Sequence, residues 1–453
     1  MSNEPMKPYP VYKDSGVVWI GEIPSHWEPI RLGMLGIFSS SGIDKKSNES
    51  EISVRMVNFT DIIRSRKYFN VQDGTKNYMS VTTPHSKLEE HRLRKGDMVF
   101  IPSSETKEDL GYSSLIDFDE SDIVYSYHII RYQTRKPMFH YFKKYLVNHH
   151  SILNQFSLEA KGTTRQIIGR NVFRNVRVVL PTLSEQTQIV TFLDFKTQKI
   201  DELIVKTEQK IELLREKRTA FINHCVTKGL NPNVEMKDSG VEWIGEIPIH
   251  WIVSKLKYDT SNPVRYGMNI SSDKYVDEGI RFIRITDITD WGELIKDNGK
   301  YLIKEDVTDE FLLDRYDILL CRSGHTVGKS YLHLEDEDYT SGGYLVRFNF
   351  GDYSKSKFIF YVSKTDFYWY WIQLNTVKST IENVNGDKYS NMVYPKPPDT
   401  EQIQIVEYLD EKTQKIDSTI EKETQRIELL KEYRQSLISE VVTGKIDVRD
   451  HNG

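Results

Sequence analysis

The chain is written twice. KDSGVVWIGEIPSHW runs from Lys13 to Trp27, and KDSGVEWIGEIPIHW from Lys237 to Trp251; thirteen of the fifteen positions are identical. A second pair follows: EQTQIVTFLDFKTQKID from Glu185 to Asp201, and EQIQIVEYLDEKTQKID from Glu401 to Asp417. IELLREKR (Ile211 to Arg218) then matches IELLKEYR (Ile427 to Arg434), and VRMVNFTDI from Val54 weakly matches IRFIRITDI from Ile280. Two copies at a period of about 220 residues make a duplicated two-part unit, not a solenoid, whose periods are about 20–50. The order is motif, variable body, long helix, then the same again.

The helices follow from periodicity. Alternate steps of four and three from Leu193 give Leu193, Thr197, Ile200, Ile204, Thr207, Ile211, Leu214, Arg218, Phe221 and Cys225. The second copy gives Leu409, Thr413, Ile416, Ile420, Glu423, Ile427, Leu430, Arg434, Leu437 and Val441. Seven of ten are apolar in each, over more than four heptads, which is a coiled-coil seam. Polar members match, Thr197 with Thr413 and Arg218 with Arg434, and such residues tend to fix register. Ser184 and Thr400 are cap candidates after Pro181 and Pro398, and Gly229 and Gly444 mark the ends. Some 42 residues would make a rod of roughly 60 Å. Two similar helices in one chain can pair with each other, giving an internal two-fold suited to double-stranded DNA. A plain dimerisation coil is the alternative.

The bodies, residues 30–182 and 253–397, read as mixed α and β. Strand candidates are Ile52 to Phe59, Asp97 to Ile101 and Arg174 to Leu180, then Ile280 to Ile285, Asp317 to Cys321 and Tyr344 to Phe350. His140 to His150 and Phe358 to Ile372 read as short helices, with Trp369 and Trp371 expected in the core. Polar loops follow the central strands in both copies, Pro102 to Ser114 and Arg322 to Ser330, and Lys161 to Gln166 has the same character. Arg and Lys can donate to guanine, Ser and Thr to several groups, and glycine lets backbone approach phosphate. The candidate contacts are Lys45, Lys46, Ser103, Ser104, Thr106, Lys107, Lys161, Thr163, Thr164 and Arg165 in the first body. In the second they are Arg265, Tyr266, Arg322, Ser323, Thr326, Lys329 and Lys388. A solvated loop is the alternative for any one of them.

Charge qualifies this reading. The 453 residues carry a net −5, which by itself argues against nucleic acid. Residues 30–182 hold 23 Lys+Arg against 16 Asp+Glu, a net +7; residues 253–396 hold 19 against 22, a net −3. The first body can meet phosphate by net charge, while the second must gather its basic residues on one face. Two cysteines, Cys225 and Cys321, support neither a disulfide framework nor a cysteine zinc site. No apolar run reaches the roughly 18 residues of a membrane span, and the opening MSNEPMKPYPVYKDSG does not read as a secretory leader, so a reduced cytoplasmic setting is expected.

Catalytic motifs fail one by one. GHTVGKS (Gly324 to Ser330) is one residue short of a phosphate loop, and Tyr331 to Leu334 reads as a strand where a helix is required. PKPPD (Pro395 to Asp399) is not the Asn-Pro-Pro-aromatic sequence of amino-methyltransferases, and no histidine spacing suits a metal. No nucleophile–base pairing stands out. The chain is expected to bind, not catalyse.

Taken together, the doubled G-x-I-P-x-x-W and E-Q-x-x-I-V segments, SGIDKKSNE (Ser41 to Glu49), the Thr-Asp-Ile at Thr60 and Thr286, and DILLCRSGHTVGK (Asp317 to Lys329) resemble the specificity subunits of type I restriction-modification systems, from about Lys13 onward. The resemblance implies an α+β fold of two mixed α/β target-recognition domains alternating with two long helices, which pair as an intramolecular antiparallel coiled coil in a pseudo-two-fold duplication. The segments would be 1–182, first target-recognition domain; 183–230, first helix; 231–397, second target-recognition domain; and 398–453, second helix and tail. Each domain would read half of a split DNA site. The helices would set the spacing and dock two modification subunits carrying S-adenosylmethionine, and two restriction subunits would bring ATP and Mg. No cofactor or metal is expected on this chain. The chain start should lie near the chain end, and the net-acidic second body should lean on the modification subunit. The runner-up is a coiled-coil scaffold that does not read DNA.

Overall fold

A computed structural model describes residues 7–66, 70–295, 297–376 and 383–450; the first six residues of the opening stretch thus lie outside it. Contacts group the chain into two compact units, residues 1–207 with 425–453, and residues 208–424. The segments read from the sequence succeed one another along the chain, whereas each unit takes one body and parts of both long helices.

The long helices are Leu183–Lys228 and Asp399–Val442. All twenty seam positions are buried or half-buried, as the four–three spacing requires. In unit 1 the two helices run antiparallel: the Gln188 side chain reaches Arg449 O at 3.5 Å, and Arg434 pairs with Asp201 at 3.0 Å. Ile200 and Leu437 share one core there with Leu193 and Val441. Unit 2 repeats the direction, with Lys210 on Glu423 at 2.6 Å and Arg218 on Asp417. Arg218 is buried and stacks 3.3 Å over the Trp291 ring.

The first helix does not start on Ser184. Thr182 is the cap: Glu185 N–H donates to Thr182 Oγ1 at 3.3 Å, and Thr182 N–H donates to Glu185 Oε2 at 3.1 Å. A reciprocal box needs its acid three residues after the cap, which selects Thr182. Thr400 likewise lies inside the second helix, which starts at Asp399. Both helices end where expected, on Gly229 and Gly444 with φ of 74° and 76°, left-handed values that glycine adopts without cost.

The duplicated motifs join the ends of the helices. In unit 1, Trp27 Nε1 donates to Glu185 Oε1 at 3.1 Å and His26 Nε2 pairs with the same oxygen at 2.8 Å. A Cβ on Gly444 would come within 2.8 Å of the Trp27 ring. The tryptophan therefore ties the start of the first helix to the end of the second. Lys7 O accepts from Asp447 N–H at 2.8 Å, bringing the first described residue to the chain's last turn. In unit 2, Trp251 Nε1 donates to Glu401 Oε2 at 2.9 Å, His250 pairs with Oε1 at 2.5 Å, and Gly229 sits under the Trp251 ring. Here the start of the second helix is tied to the end of the first.

Each body holds two larger sheets beside two-stranded pairs. Unit 1 has a five-stranded sheet in the order Gly36–Ser40, Ile130–Thr134, Met98–Phe100, Ser113–Ile116, Val71–Gln72, and a three-stranded sheet of Ile123–Tyr125, Ile52–Val57 and Met79–Thr83. Unit 2 has four strands, Arg265–Tyr266, Leu345–Asn349, Asp317–Cys321 and Ser330–Leu332, and three, Lys300–Leu302, Ile280–Ile283 and Tyr339–Ser341. The central strands Met98–Phe100 and Asp317–Cys321 are fully buried on both faces, so they read as continuous apolar runs.

The two short helices expected in the bodies are each broken. The first is a 3-10 turn at His140–Phe142, a turn of helix at Lys143–Leu146 and a separate helix His150–Leu158. The second splits into Tyr353–Val362 and Asp366–Asn375, because Thr365 caps the latter by accepting from Tyr368 N–H at 3.3 Å. Trp371 is buried and Trp369 half-buried, so both serve packing. Both bodies dock on their helices through a tyrosine. Tyr145 donates to Asp194 at 2.5 Å and meets Thr197, and Tyr361 donates to Asp410 at 2.5 Å and meets Thr413 at 3.2 Å. The matched threonines of the seam thus face the bodies.

Candidate nucleic-acid interface

In unit 1 the chain leaves the buried strand Met98–Phe100 and pairs at once with a distant segment. Ser103–Ser104 lies antiparallel to Gln166–Ile167, and Ile167 closes a hairpin on Lys161 through two backbone bonds of 2.8 and 3.1 Å. The tip exposes Lys161, Thr163, Thr164 and Arg165. Arg165 Nε donates to Ser103 Oγ at 2.7 Å. Two sequence candidates some sixty residues apart are therefore one surface.

A third loop joins them. Tyr127 N–H donates to Ile43 O at 3.0 Å, fixing the turn after Ile123–Tyr125 against the Ser41 to Lys46 segment. His128 lies between the two groups: burial lowers its pKa first, and the Arg165 and Lys45 charges push it the same way. Arg170 reaches Ser40 Oγ at 2.8 Å. Lys45 and Lys46 are exposed. The result is a basic rim around an aromatic pair, Tyr127 and His128, whose rings lie 3.8 Å apart. Basic side chains of this kind meet phosphate, and base edges are read between such contacts.

Not every unit 1 candidate faces outward. Ser104 is buried, and its hydroxyl contacts Thr106 and Asp109. Thr106 is exposed but donates to Asp109 at 2.7 Å, and Lys107 is exposed in the short 3-10 turn Lys107–Asp109.

Unit 2 repeats the frame with different chemistry. Ser323 bridges to Asn383, and Val384 N–H donates to Arg322 O at 2.9 Å, the counterpart of the Ser103–Ser104 pairing. The Arg322 guanidinium lies 5.0 Å over the exposed Tyr266 ring, and Arg322 N–H donates to Tyr344 O at 3.0 Å. Arg265 is exposed beside Tyr266. Other candidates turn inward. Ser323 and Thr326 are buried, with the Thr326 hydroxyl on Ser323 O. Lys329 pairs with Asp290 at 2.8 Å, and Lys388 donates to Asn375 O at 2.5 Å. Several further arginines of this body are also held by acids: Arg281 and Arg284 by Asp287, Arg347 by Asp314 and Asp317. Those pairs occupy basic side chains that would otherwise be available to phosphate, while Arg265 stays exposed and Arg322 half-buried.

The near phosphate-loop segment is not one. Gly324–Thr326 forms a 3-10 turn and Ser330–Leu332 a sheet strand, so no helix follows the glycines. Cys225 and Cys321 are free and buried. Among the described residues no cluster of side chains suits a metal, and no helix is long and apolar enough to cross a membrane.

The sequence reading did not single out Tyr127, His128, Arg170 and Tyr344, which the structure places beside its candidates. The signal was present but oblique: YSYHIIRY (Tyr125 to Tyr132) and TSGGYLVRF (Thr340 to Phe348) occupy the same place in the two copies, and each carries a large aromatic just before a buried strand.

The chain is similar to known proteins in sequence and in fold. Residues 24–213 match the family model described as the type I restriction modification DNA specificity domain. The type I restriction enzyme MjaVIII specificity subunit of Methanocaldococcus jannaschii is 26% identical over 308 residues, covering 65% of this chain and 68% of that protein. The putative type I restriction enzyme MjaX specificity subunit of the same organism is 26% identical over 263 residues, covering 57% of this chain and 59% of that protein. In fold, the chain is similar to one in a solved structure concerned with complex assembly and conformational transition of the type I R-M system. The TM-score is 0.66 at 16% identity, covering 94% of this chain and 99% of that one.

Proposed function

We propose that the chain is a specificity subunit of a type I restriction-modification system, as its similarity to that domain and to those subunits supports, and that each of its units reads one half of a bipartite DNA site. The observation that carries this reading is the repeated loop frame. In both units the segment leaving the buried central strand pairs with the segment just before the last small helix, at Ser103–Ser104 with Gln166–Ile167 and at Ser323 with Asn383. Exposed basic and aromatic side chains surround it each time. The same scaffold with different side chains is what two unlike half-sites need.

The chain supplies recognition, and chemistry belongs to its partners. Two modification subunits carrying S-adenosylmethionine dock on the long helices, which set the interval between half-sites. Two restriction subunits, with ATP and Mg, complete the nuclease. The assembly works in the cytoplasm, on double-stranded DNA. The test is selection from a random duplex library by this chain together with the modification subunits of its own source. A split motif with a fixed spacer is expected. Recovery of no preferred sequence, with the complex intact, would overturn the reading in favour of a scaffold.

A further inference from the structure

One turn differs between the units although both place it identically. In unit 1 it joins Ile123–Tyr125 to Ile130–Thr134, and in unit 2 it joins Tyr339–Ser341 to Leu345–Asn349. Both turns are anchored on the loop that follows the first strand of the larger sheet: Tyr127 N–H donates to Ile43 O, and Gly343 N–H donates to Met268 O at 2.8 Å. Both present a tyrosine outward, Tyr127 at 45% exposure and Tyr344 at 58%. In unit 2 the ring stands one residue along, and a glycine, Gly343, occupies the place Tyr127 uses, beside the Asn269 side chain.

The surroundings point to a base-reading role. An aromatic this exposed contributes little to the core, and each sits among the basic loops. Tyr127 lies tilted against His128 beside Lys45 and Arg165, and the Tyr344 carbonyl accepts from the Arg322 backbone N–H. Phosphate contacts from such basic side chains fix register, while apolar faces meet thymine methyl groups or wedge against a base step.

We propose that Tyr127 and Tyr344 are specificity-determining residues, each laying its ring on a base pair of its own half-site. This rests on the bipartite reading above.

The experiment repeats the library selection with Tyr127→Ala and Tyr344→Ala in the full chain with its modification subunits. Each substitution should relax preference by roughly tenfold at one or two positions of one half-site, in line with the usual cost of a mismatched pair. The other half-site and the salt slope should stay unchanged. Tyr127→Phe and Tyr344→Phe, which keep the ring, should keep the preference. Lys45→Ala should weaken all sequences alike and reduce the salt slope. Alanine variants that select the wild-type motif undiminished, or that lose affinity equally on every sequence, overturn the proposal. A wild-type complex with no preference overturns the bipartite reading itself, and the two failures are told apart by the wild-type arm.

Discussion

Unit 1 covers the glutamate of its histidine–tryptophan–glutamate junction with Tyr9, whereas unit 2 leaves the matching glutamate within reach of solvent. The Tyr9 ring lies 5.4 Å from Trp27 and 5.9 Å from His26, with the Arg449 guanidinium 4.8 Å from its centre. Under it the Glu185 side chain is 6% exposed. In unit 2 the aligned residue is Asn233, which is exposed. The Glu401 side chain is 34% exposed, beside an open cavity of about 260 Å³ lined by Lys228, Val234, Pro248, His250 and Ile405. The bonded residues are those the duplication repeats, and the covering residue lies outside it. The repeat thus preserves the joint between helix ends, while its desolvation is set locally. Since a hydrogen bond to a charged group is worth more when water is excluded, equal motifs should contribute unequally.

The largest effects should show the joint is shared. Trp27→Ala and Trp251→Ala each remove a fully buried indole and should each cost about 3–5 kcal/mol, measured by denaturant unfolding. A cost near zero for Trp251→Ala would break the equivalence, leaving the second junction ornamental. Tyr9→Ala should then make unit 1 resemble unit 2, at about 3 kcal/mol for a lost buried ring, with no counterpart on substituting Asn233. A Tyr9→Ala protein as stable as the wild type would show that the cover does not matter.

A second contrast lies beside the docking tyrosines. Three residues beyond Tyr145, the buried Asn148 donates to Ser113 O and Lys144 O, both at 3.0 Å. Three residues beyond Tyr361 stands Lys364, buried, with Nζ 3.3 Å from Asp290 O and 3.4 Å from Ser330 O. Burial pushes its pKa down to about 7. The folded value lies below the unfolded one, so between about pH 7 and 10 the unfolded chain holds a proton the folded chain does not. Stability should therefore rise with pH across that window, by an amount on the order of a few kcal/mol. Lys364→Asn, which copies unit 1, should flatten the rise. Parallel stability curves for the two proteins would show that Lys364 does not titrate in this window.

Legibility in the sequence tracked the range of the interaction involved. The coil seam depends on spacing within one helix, and every seam position from Leu193 to Cys225 and from Leu409 to Val441 is at least half-buried. The terminal glycines and the buried central strands are similarly local. What could not be read needed partners far along the chain. Arg165 meets Ser103 across sixty-two residues, and Lys329 is drawn to Asp290 across thirty-nine. Ser104 and Thr326 look like surface polar residues but are buried among their own loop's acceptors. Tyr127 was hidden because an exposed aromatic and a core aromatic look alike until a strand end is placed.

The smallest expected effect separates the two carboxylates. Burial pushes the pKa of Glu185 up, but hydrogen bonds from His26, Thr182 and Trp27 outweigh it and leave the group below its usual range. A depressed folded value means stability that is present above the unfolded pKa and lost as pH falls through the folded one. Glu185→Gln should therefore cost about 1.5–3 kcal/mol at pH 7, the range for bonds to a charged group. That cost should shrink as acid protonates the wild-type carboxylate. Glu401→Gln removes a charge that water already reaches, so about 1 kcal/mol or less is expected. Unfolding free energies of the two variants at pH 7 and near pH 3.5 decide the matter. Equal costs at pH 7 would mean that the cover over Glu185 does not strengthen its bonds. An Glu185→Gln cost that persists undiminished in acid would mean that the glutamate acts through shape and neutral hydrogen bonding, and that its charge contributes nothing to the joint.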